Sequence, residues 1–189
     1  MELLNNKLKK IIEDLDSPNT GQHSGDKNIC YLTYPFQSIL EIKKTTNNII
    51  SLLKHSDYNV SELSLGEVIY DFIKNYPRRD IWMNFSMVEY KDEMTDFFKS
   101  LGSTIIENEI IEKAILAKQE EIKNQKKPLL LLTDLEGIHP FTRFGPVEQN
   151  IYNSIEIPII ILYPGVLSGS SLEFLGFYPP DGNYRSKHY

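Results

Sequence analysis

The spacing of apolar positions changes along the chain, and these changes mark predicted helices and strands. Over residues 3–15 apolar side chains recur every three to four positions between lysines and acidic residues, which predicts an amphipathic helix. Residues 17–27 are polar and contain proline and glycine, so they are predicted to form a loop. A first strand is predicted at residues 28–34, because this run is short, partly β-branched or aromatic, and closed by Pro35.

The next stretch alternates helical and extended patterns. Isoleucine and leucine recur at helical spacing over residues 39–53, and residues 58–63 have the character of a second strand. Residues 28–63 are therefore predicted to form a β-α-β unit. Residues 76–102 carry the weakest pattern and are predicted to be irregular, with a short helix at the end.

Two capping-box pairs mark predicted helix starts. Ser64 and Glu67 stand three residues apart before an apolar helical face, where each side chain can satisfy a free backbone N–H. Thr104 and Glu107 have the same spacing, which predicts a helix that begins there and runs to about residue 124.

Two runs are apolar almost throughout. Residues 128–133 read PLLLLT and residues 157–163 read IPIIILY, the pattern of central strands that helices cover on both faces. A crossover helix is predicted near 146–153, and a further strand at 171–178 after a turn at 164–169. The order of elements predicts an α/β fold, namely a three-layer Rossmann-like sandwich with a largely parallel sheet.

Composition supports a single folded domain over residues 1–189. Hydrophobic residues make up 41% and charged residues 24%, close to globular averages, and no stretch approaches the roughly 18 apolar residues of a membrane span. The one cysteine, Cys30, excludes an internal disulfide, and the amino terminus lacks the apolar core of a signal peptide. We therefore expect a soluble cytoplasmic protein that does not bind membranes.

The net charge of −6 argues against direct nucleic-acid binding, which usually requires a basic face. Three basic clusters lie at residues 7–10, 78–79 and 123–127, next to acidic residues or near predicted helix ends. Solvated helix faces explain them, and a nucleic-acid-binding accessory role is the alternative.

The standard catalytic motifs of this fold class are absent. Ligands of parallel sheets bind beyond the carboxyl ends of the strands, which directs attention to residues 34–36, 133–143 and 163–171. The sequence contains no Gly-Lys pair of a nucleotide-binding P-loop, no dinucleotide fingerprint after a strand, and no nucleophile elbow. We therefore expect no catalytic residue, no metal and no cofactor.

One loop nevertheless carries side chains capable of chemistry. Asp134, Glu136 and His139 follow a buried strand closely enough to suggest an acid-base or hard-metal cluster, but the spacing is not specific and favours capping of the loop beside Pro140. Arg143 suits either a bidentate clamp on a carboxylate or phosphate, or an internal ion pair that fixes the loop.

The carboxy-terminal third carries a specific combination of motifs. A buried strand runs into Tyr-Pro-Gly, followed by Ser-Leu, Phe-Leu-Gly and Asn-Tyr-Arg, in the segments IPIIILYPG, SGSSLEFLGF and DGNYRSKHY. Upstream, Leu-Leu-Thr precedes His-Pro-Phe-x-Arg at residues 139–143. Over most of its length the chain thereby resembles the BrxB family of BREX (bacteriophage exclusion) defence systems. It departs from the family in reading Phe-Leu-Gly for Leu-Phe-Gly, in having one tyrosine before Arg185, and in placing Phe144-Gly145 where Ser-His is usual.

The resemblance implies a non-catalytic adaptor in a multi-protein phage-defence apparatus. Implied partners are the alkaline-phosphatase-like PglZ protein and further BREX components, among them the large ATPase. Gly165 and Gly169 are expected to permit positive φ in a tight turn, while Tyr163, Tyr184 and Arg185 are expected to pack the carboxy-terminal tail or anchor a partner. The candidate ligand- or partner-binding residues are Asp134, His139, Arg143, Tyr163, Gly165, Tyr184 and Arg185. A degenerate nucleotide- or phosphate-binding domain is the second hypothesis.

Overall fold

Helices and strands alternate along the chain in the computed structural model, which describes residues 2–17, 29–81, 91–168, 171–176, 178 and 186–189. The elements are α1 Glu2–Asp16, β1 Ile29–Tyr34, α2 Ile39–His55, β2 Asn59–Ser64, α3 Leu65–Asn75, α4 Lys91–Glu107, α5 Ile110–Ile122, β3 Pro128–Thr133, α6 Phe144–Ile151, β4 Ile159–Ser168, β5 Ser171–Phe174 and β6 Lys187–His188. Short 3-10 turns span Phe36–Ser38, Leu135–Ile138 and Tyr152–Ser154.

The strands form one mostly parallel sheet in the order β2-β3-β4-β1-β6. Each neighbouring pair along this path is parallel, while β5 pairs antiparallel with the extension of β4. The crossover through α2 carries the chain from β1 past β4 and β3 to the edge strand β2, and the later helices return it strand by strand. The predicted three-layer Rossmann-like α/β fold is confirmed.

Alternation along the strands divides the core into two layers. Leu129 and Leu131 of β3 pack with α1 and α2, whereas Leu130 and Leu132 pack with α3 to α6. All four leucines are fully buried, and each contributes about 1.5–3 kcal/mol relative to exposure. Continuous apolarity in β3 therefore follows from helices on both faces. Across the described ranges, no helix has the length and apolarity needed to cross a membrane.

Two local predictions about helices are wrong. Thr104 does not start a helix, because it lies inside α4 and its hydroxyl donates a hydrogen bond to the Ser100 carbonyl one turn earlier. The next helix begins instead at Ile110, after Glu109 in a left-handed conformation. Residues 76–102 were predicted to be irregular with a short helix at the end; that helix is α4, which has 17 residues and runs past residue 102 to Glu107. Residues 82–90 lie outside the described part of the chain.

The predicted turn after the last central strand is also wrong. β4 continues through Pro164 and Gly165 to Ser168 and pairs with β5, so the Tyr-Pro-Gly motif lies within a strand. Gly165 does not have a positive φ. Its lack of a side chain serves a close approach, since a Cβ there would lie 2.2 Å from the Glu173 carbonyl oxygen and 2.7 Å from the Tyr163 ring. Gly169 lies outside the described residues.

Candidate functional site

A polar crevice of about 310 Å³ opens between α2 and the carboxyl ends of β1 to β4. The floor of the crevice is polar because the strand residues that face α2 change from apolar to polar at the ends of the buried strands. Thr133 follows Leu131 on the same face of β3, and Glu62 follows Val60 on β2. The place is the one at which parallel α/β sheets hold ligands.

Lys43 of α2 bridges two carboxylates across this crevice. Its Nζ lies 2.8 Å from Asp134 Oδ1 and 2.7 Å from Glu136 Oε1. Asp134 has a left-handed backbone, with φ of 53°, and its other oxygen accepts a 2.5 Å hydrogen bond from Ser64. Ser64 in turn accepts a hydrogen bond from the Glu67 backbone N–H and so caps α3, as predicted.

Charge pairing at Asp134 outweighs its burial. Burial raises the pKa of the Asp134 carboxyl, but the hydrogen bonds from Lys43 and Ser64 together lower this pKa by more than burial raises it. The net pKa of Asp134 is therefore below the ordinary value of 3.8. The pKa of Lys43 is raised, because burial lowers it less than the two carboxylates raise it. Burial, and then the negative charges of Glu136 and Asp134, raise the pKa of the Tyr34 hydroxyl. Asp134 is thus held as a carboxylate.

The crevice carries more negative than positive charge. Glu62, Asp134 and Glu136 line it with Lys43, so three carboxylates face one ammonium. Glu62 accepts a 2.9 Å hydrogen bond from Thr133, whereas both oxygens of Glu136 are buried without a hydrogen bond from a hydroxyl or amide. Glu136 therefore depends on the ion pair with Lys43, which it shares with Asp134. Within the part of the chain that the structure describes, no group of three His, Cys, Asp or Glu side chains has the arrangement of a metal site.

A second cavity, of about 210 Å³, adjoins the crevice at the end of β1. It lies between the amino-terminal turns of α1 and α2 and shares Tyr34 and Ile42 with the crevice. Its other lining residues include Leu3, Leu4 and Pro35, and they make it mainly apolar. Exposed apolar side chains surround this edge of the sheet; they are Leu3, Phe36, Leu40, Val166 and Leu167.

The predicted site residues do not all lie together. Asp134 lines the crevice, and Glu136 beside it, but His139 and Arg143 form a separate cluster around Tyr178. The Tyr178 hydroxyl hydrogen-bonds the Nδ1 atom of His139, and the Arg143 guanidinium lies 4.6 Å from the centre of the Tyr178 ring. Burial lowers the pKa of His139. His139 therefore does not join Asp134 and Glu136 in one cluster.

Tyr163 and Gly165 belong to the core rather than to an open surface. The Tyr163 ring is 1% exposed and packs against Tyr31 and Phe174 at centroid distances of 5.5 and 5.4 Å. Gly165 is buried beneath β5. Tyr184 and Arg185 lie outside the described residues, and their predicted role stays a prediction.

Sequence reasoning missed most of the crevice. Lys43, Thr46 and Asn47 stand at i, i+3 and i+4 on α2, so they form a polar stripe beside the buried one. That spacing is the signal that could have placed them together. Their position opposite Thr133 and Glu62 follows from the long crossover of α2, which no local pattern reveals.

Comparison with known proteins gives one match. A family model described as BREX protein BrxB matches residues 61–188, which is more than half of the chain. The matched range contains Ser64, Thr133 and Asp134, while Lys43 lies outside it. No curated protein and no solved structure matches the chain.

Proposed function

The chain belongs to the BrxB family, and from this premise we propose that it is a non-catalytic component of a BREX-type phage-defence system that acts by binding a PglZ-like protein. Membership in the family makes it a BREX component. The adaptor role and the particular partner are our proposal, argued from the crevice and its surroundings.

One observation carries the proposal: the lysine of the crevice is held by two carboxylates, while large apolar side chains at the same edge of the sheet stay exposed. Lys43 is engaged by Asp134 and Glu136, so this lysine is not poised as a free base or nucleophile. Leu3 and Leu40 are 69% and 73% exposed at the same edge of the sheet. Exposed apolar side chains next to a lysine that two carboxylates already hold are better suited to binding a protein than to turning over a substrate.

The nucleotide or phosphate hypothesis is less well supported. Phosphate sites in such folds use open helix amino termini and cationic side chains. Here the first turn of α3 packs against the 3-10 turn after β3, so closely that a Cβ on Gly137 would lie 2.5 Å from the Gly66 Cα. The three carboxylates that line the neighbouring crevice would also repel a phosphate.

The basic clusters also favour a structural role over nucleic-acid binding. Lys7 donates hydrogen bonds of 2.9 and 2.8 Å to the carbonyl and hydroxyl of Thr33. Lys123 pairs with Glu120, and Lys127 pairs with Asp16. These three ammonium groups make contacts within the chain, which reduces what the clusters offer to a phosphate backbone.

Co-expression with the PglZ-like protein of the same system, followed by size-exclusion chromatography, tests the proposal. We expect the two proteins to elute together at a mass that exceeds either alone. Separate peaks would contradict the proposal and favour the nucleotide hypothesis. A thermal-shift panel of nucleotides and inorganic phosphate is the complementary test, and we expect no shift in the melting temperature.

A further inference from the structure

Two cavities adjoin at Tyr34 and Ile42 at the carboxyl edge of the sheet, and they differ in chemistry. We define the edge groove as the apolar cavity at Leu3, Leu4 and Pro35 together with the acidic crevice at Glu62 and Glu136. We infer that the partner binds here with a segment that places an apolar side chain next to a lysine or arginine. This inference rests on the proposed function, because it specifies the surface that the partner contacts.

Continuity between the two halves is the first argument. Tyr34, the last residue of β1, and Ile42, in the first turn of α2, line both cavities. The groove therefore runs from the space between α1 and α2 onto the ends of β3 and β2. Two neighbouring side chains of one segment can occupy the two halves at once.

The apolar half offers a place for a hydrophobic anchor. Leu3 is 69% exposed although it lines this cavity, and Leu4 and Pro35 also line it. A partner side chain inserted into the cavity would remove apolar surface from water at roughly 25 cal/mol per Å². Interface anchors commonly fill such preformed pockets, and the surrounding contacts then exclude water.

The acidic half specifies the charge of the neighbouring group. Three carboxylates face the single ammonium of Lys43, so the lining has a formal charge of −2. Both buried oxygens of Glu136 lack a hydrogen-bond donor other than that ion pair. A lysine or arginine of the partner would supply the missing charge and donors. An anionic group would instead be repelled.

Paired substitutions on α2 test the acidic half with little risk to the fold. Asn47 and Asn48 are adjacent and exposed, but only Asn47 is among the residues that line the crevice. We expect Asn47→Lys to weaken binding of the PglZ-like protein at least roughly tenfold in Kd, because it places a like charge against the partner's cation. Asn48→Lys adds the same net charge outside the groove and should change Kd less than about twofold.

A second pair tests the apolar half. Leu3→Asp places a charge in the cavity at a solvent-exposed position, and we expect it to weaken binding at least about tenfold. The matched control is Ile106→Asp, because Ile106 is also exposed, at 53%, but lies on α4 in the opposite helix layer. Circular dichroism and thermal melting of each variant establish that the fold is retained.

The outcomes separate this inference from the proposed function. Loss of binding in Asn47→Lys and Leu3→Asp, with both controls binding normally, supports the edge groove. Undiminished binding by these two folded variants overturns the inference and leaves the adaptor role standing. If the unsubstituted chain itself does not bind the PglZ-like protein, the proposed function fails, and the inference fails with it.

Discussion

The Tyr31 hydroxyl donates a 2.5 Å hydrogen bond to Glu148, a carboxylate that is only 1% exposed. The other oxygen of Glu148 accepts a hydrogen bond from the Ser186 hydroxyl. Strand β1, helix α6 and the segment before β6 are thus joined at one buried charge. A buried carboxylate is tolerated only where hydrogen bonds replace its lost hydration.

Removal of the Tyr31 hydroxyl should therefore destabilise the fold. We expect Tyr31→Phe to lower the free energy of unfolding by about 1–3 kcal/mol, because Glu148 loses a donor that water cannot replace. Urea unfolding measures the change. Tyr70→Phe is the control, since Tyr70 is 63% exposed, and it should alter stability by less than about 0.5 kcal/mol. Equal effects of the two variants would contradict the importance of the bond.

The two capping-box pairs allow a second test, because the sequence treats them alike and the structure does not. Ser64 caps α3 and also binds Asp134, so Ser64→Ala should cost about 1–2 kcal/mol. Thr104 lies within α4, where alanine is the better helix former, so Thr104→Ala should cost at most about 0.5 kcal/mol. Thermal or urea unfolding compares them directly. A loss for Thr104→Ala as large as that for Ser64→Ala would indicate that Thr104 does act as a cap.

Strand patterns were easier to interpret in the sequence than capping patterns. The continuous apolarity of β3 and β4 predicted central parallel strands, because a strand that is buried on both faces has apolar residues at nearly every position. Capping spacing is ambiguous, since serine and threonine also bond back to a carbonyl inside helices. Thr104 has the spacing of a cap but bonds back to a carbonyl inside α4, whereas Ser64 does cap α3.

The candidate site was only partly predictable, for a topological reason. Asp134 was identified because it directly follows a buried strand. Its partner Lys43 lies on a helix that crosses two strands before reaching the sheet edge, so no short spacing connects the two residues. Conversely, Gly165 looks like a turn residue in the sequence, and Tyr163 looks like the end of a strand at a loop. The pairing of Gly165 with β5 and the packing of Tyr163 against Tyr31 and Phe174 depend on tertiary contacts.

The ion pair between Lys43 and Asp134 predicts a particular pH dependence. Hydrogen bonds from Lys43 and Ser64 outweigh burial and hold the Asp134 pKa below 3.8. A carboxyl group with a depressed folded-state pKa contributes stability above its unfolded pKa, and this contribution is lost as the pH falls through the folded pKa. Stability should therefore decline, partly through this residue, as acidification takes the pH through the unfolded pKa of about 3.8 and then through the lower folded pKa.

Substitution of Lys43 tests how much this lysine lowers the pKa of Asp134. In Lys43→Met the Asp134 pKa should rise, because burial remains while the main opposing interaction is removed. A carbon-detected NMR titration of the Asp134 carboxyl measures that shift. Lys44→Met is the matched control, as Lys44 is the exposed neighbour in sequence, and it should leave the Asp134 titration unchanged. An unchanged pKa in Lys43→Met would show that the ion pair does not hold in solution.

The close approach at Gly165 predicts that even one methyl group is too large there. Gly165→Ala would place its Cβ against the Glu173 carbonyl and the Tyr163 ring, so β5 would have to move. We expect a loss of about 1–3 kcal/mol, measured by urea unfolding. Gly66→Ala should cost clearly less, because its nearest neighbour lies at 3.3 Å and alanine favours the helix. A similar loss in the free energy of unfolding for the two variants would mean that the β4–β5 hairpin can shift to accommodate the methyl group.

The last three residues of the chain, Lys187 to Tyr189, predict the reactivity of its single cysteine. Burial raises the pKa of the Cys30 thiol to about 12, so the thiolate needed for alkylation is scarce in the folded protein. Lys187 pairs with Cys30 across the β1–β6 edge, and Tyr189 packs into the same core layer. We therefore expect negligible maleimide labelling of the native chain at about pH 8.

Deletion of residues 186–189 should uncover that edge and accelerate labelling of Cys30 at least roughly tenfold, because local opening then exposes β1. Mass spectrometry of the time course measures the rate, and the urea-unfolded chain sets the upper limit. Lys126→Ala, an exposed substitution far from β1 in sequence, should label as slowly as the unsubstituted protein. If the deletion variant stays folded and labels no faster, then the rest of the core layer protects the thiol, and β6 contributes nothing to covering this edge of the sheet.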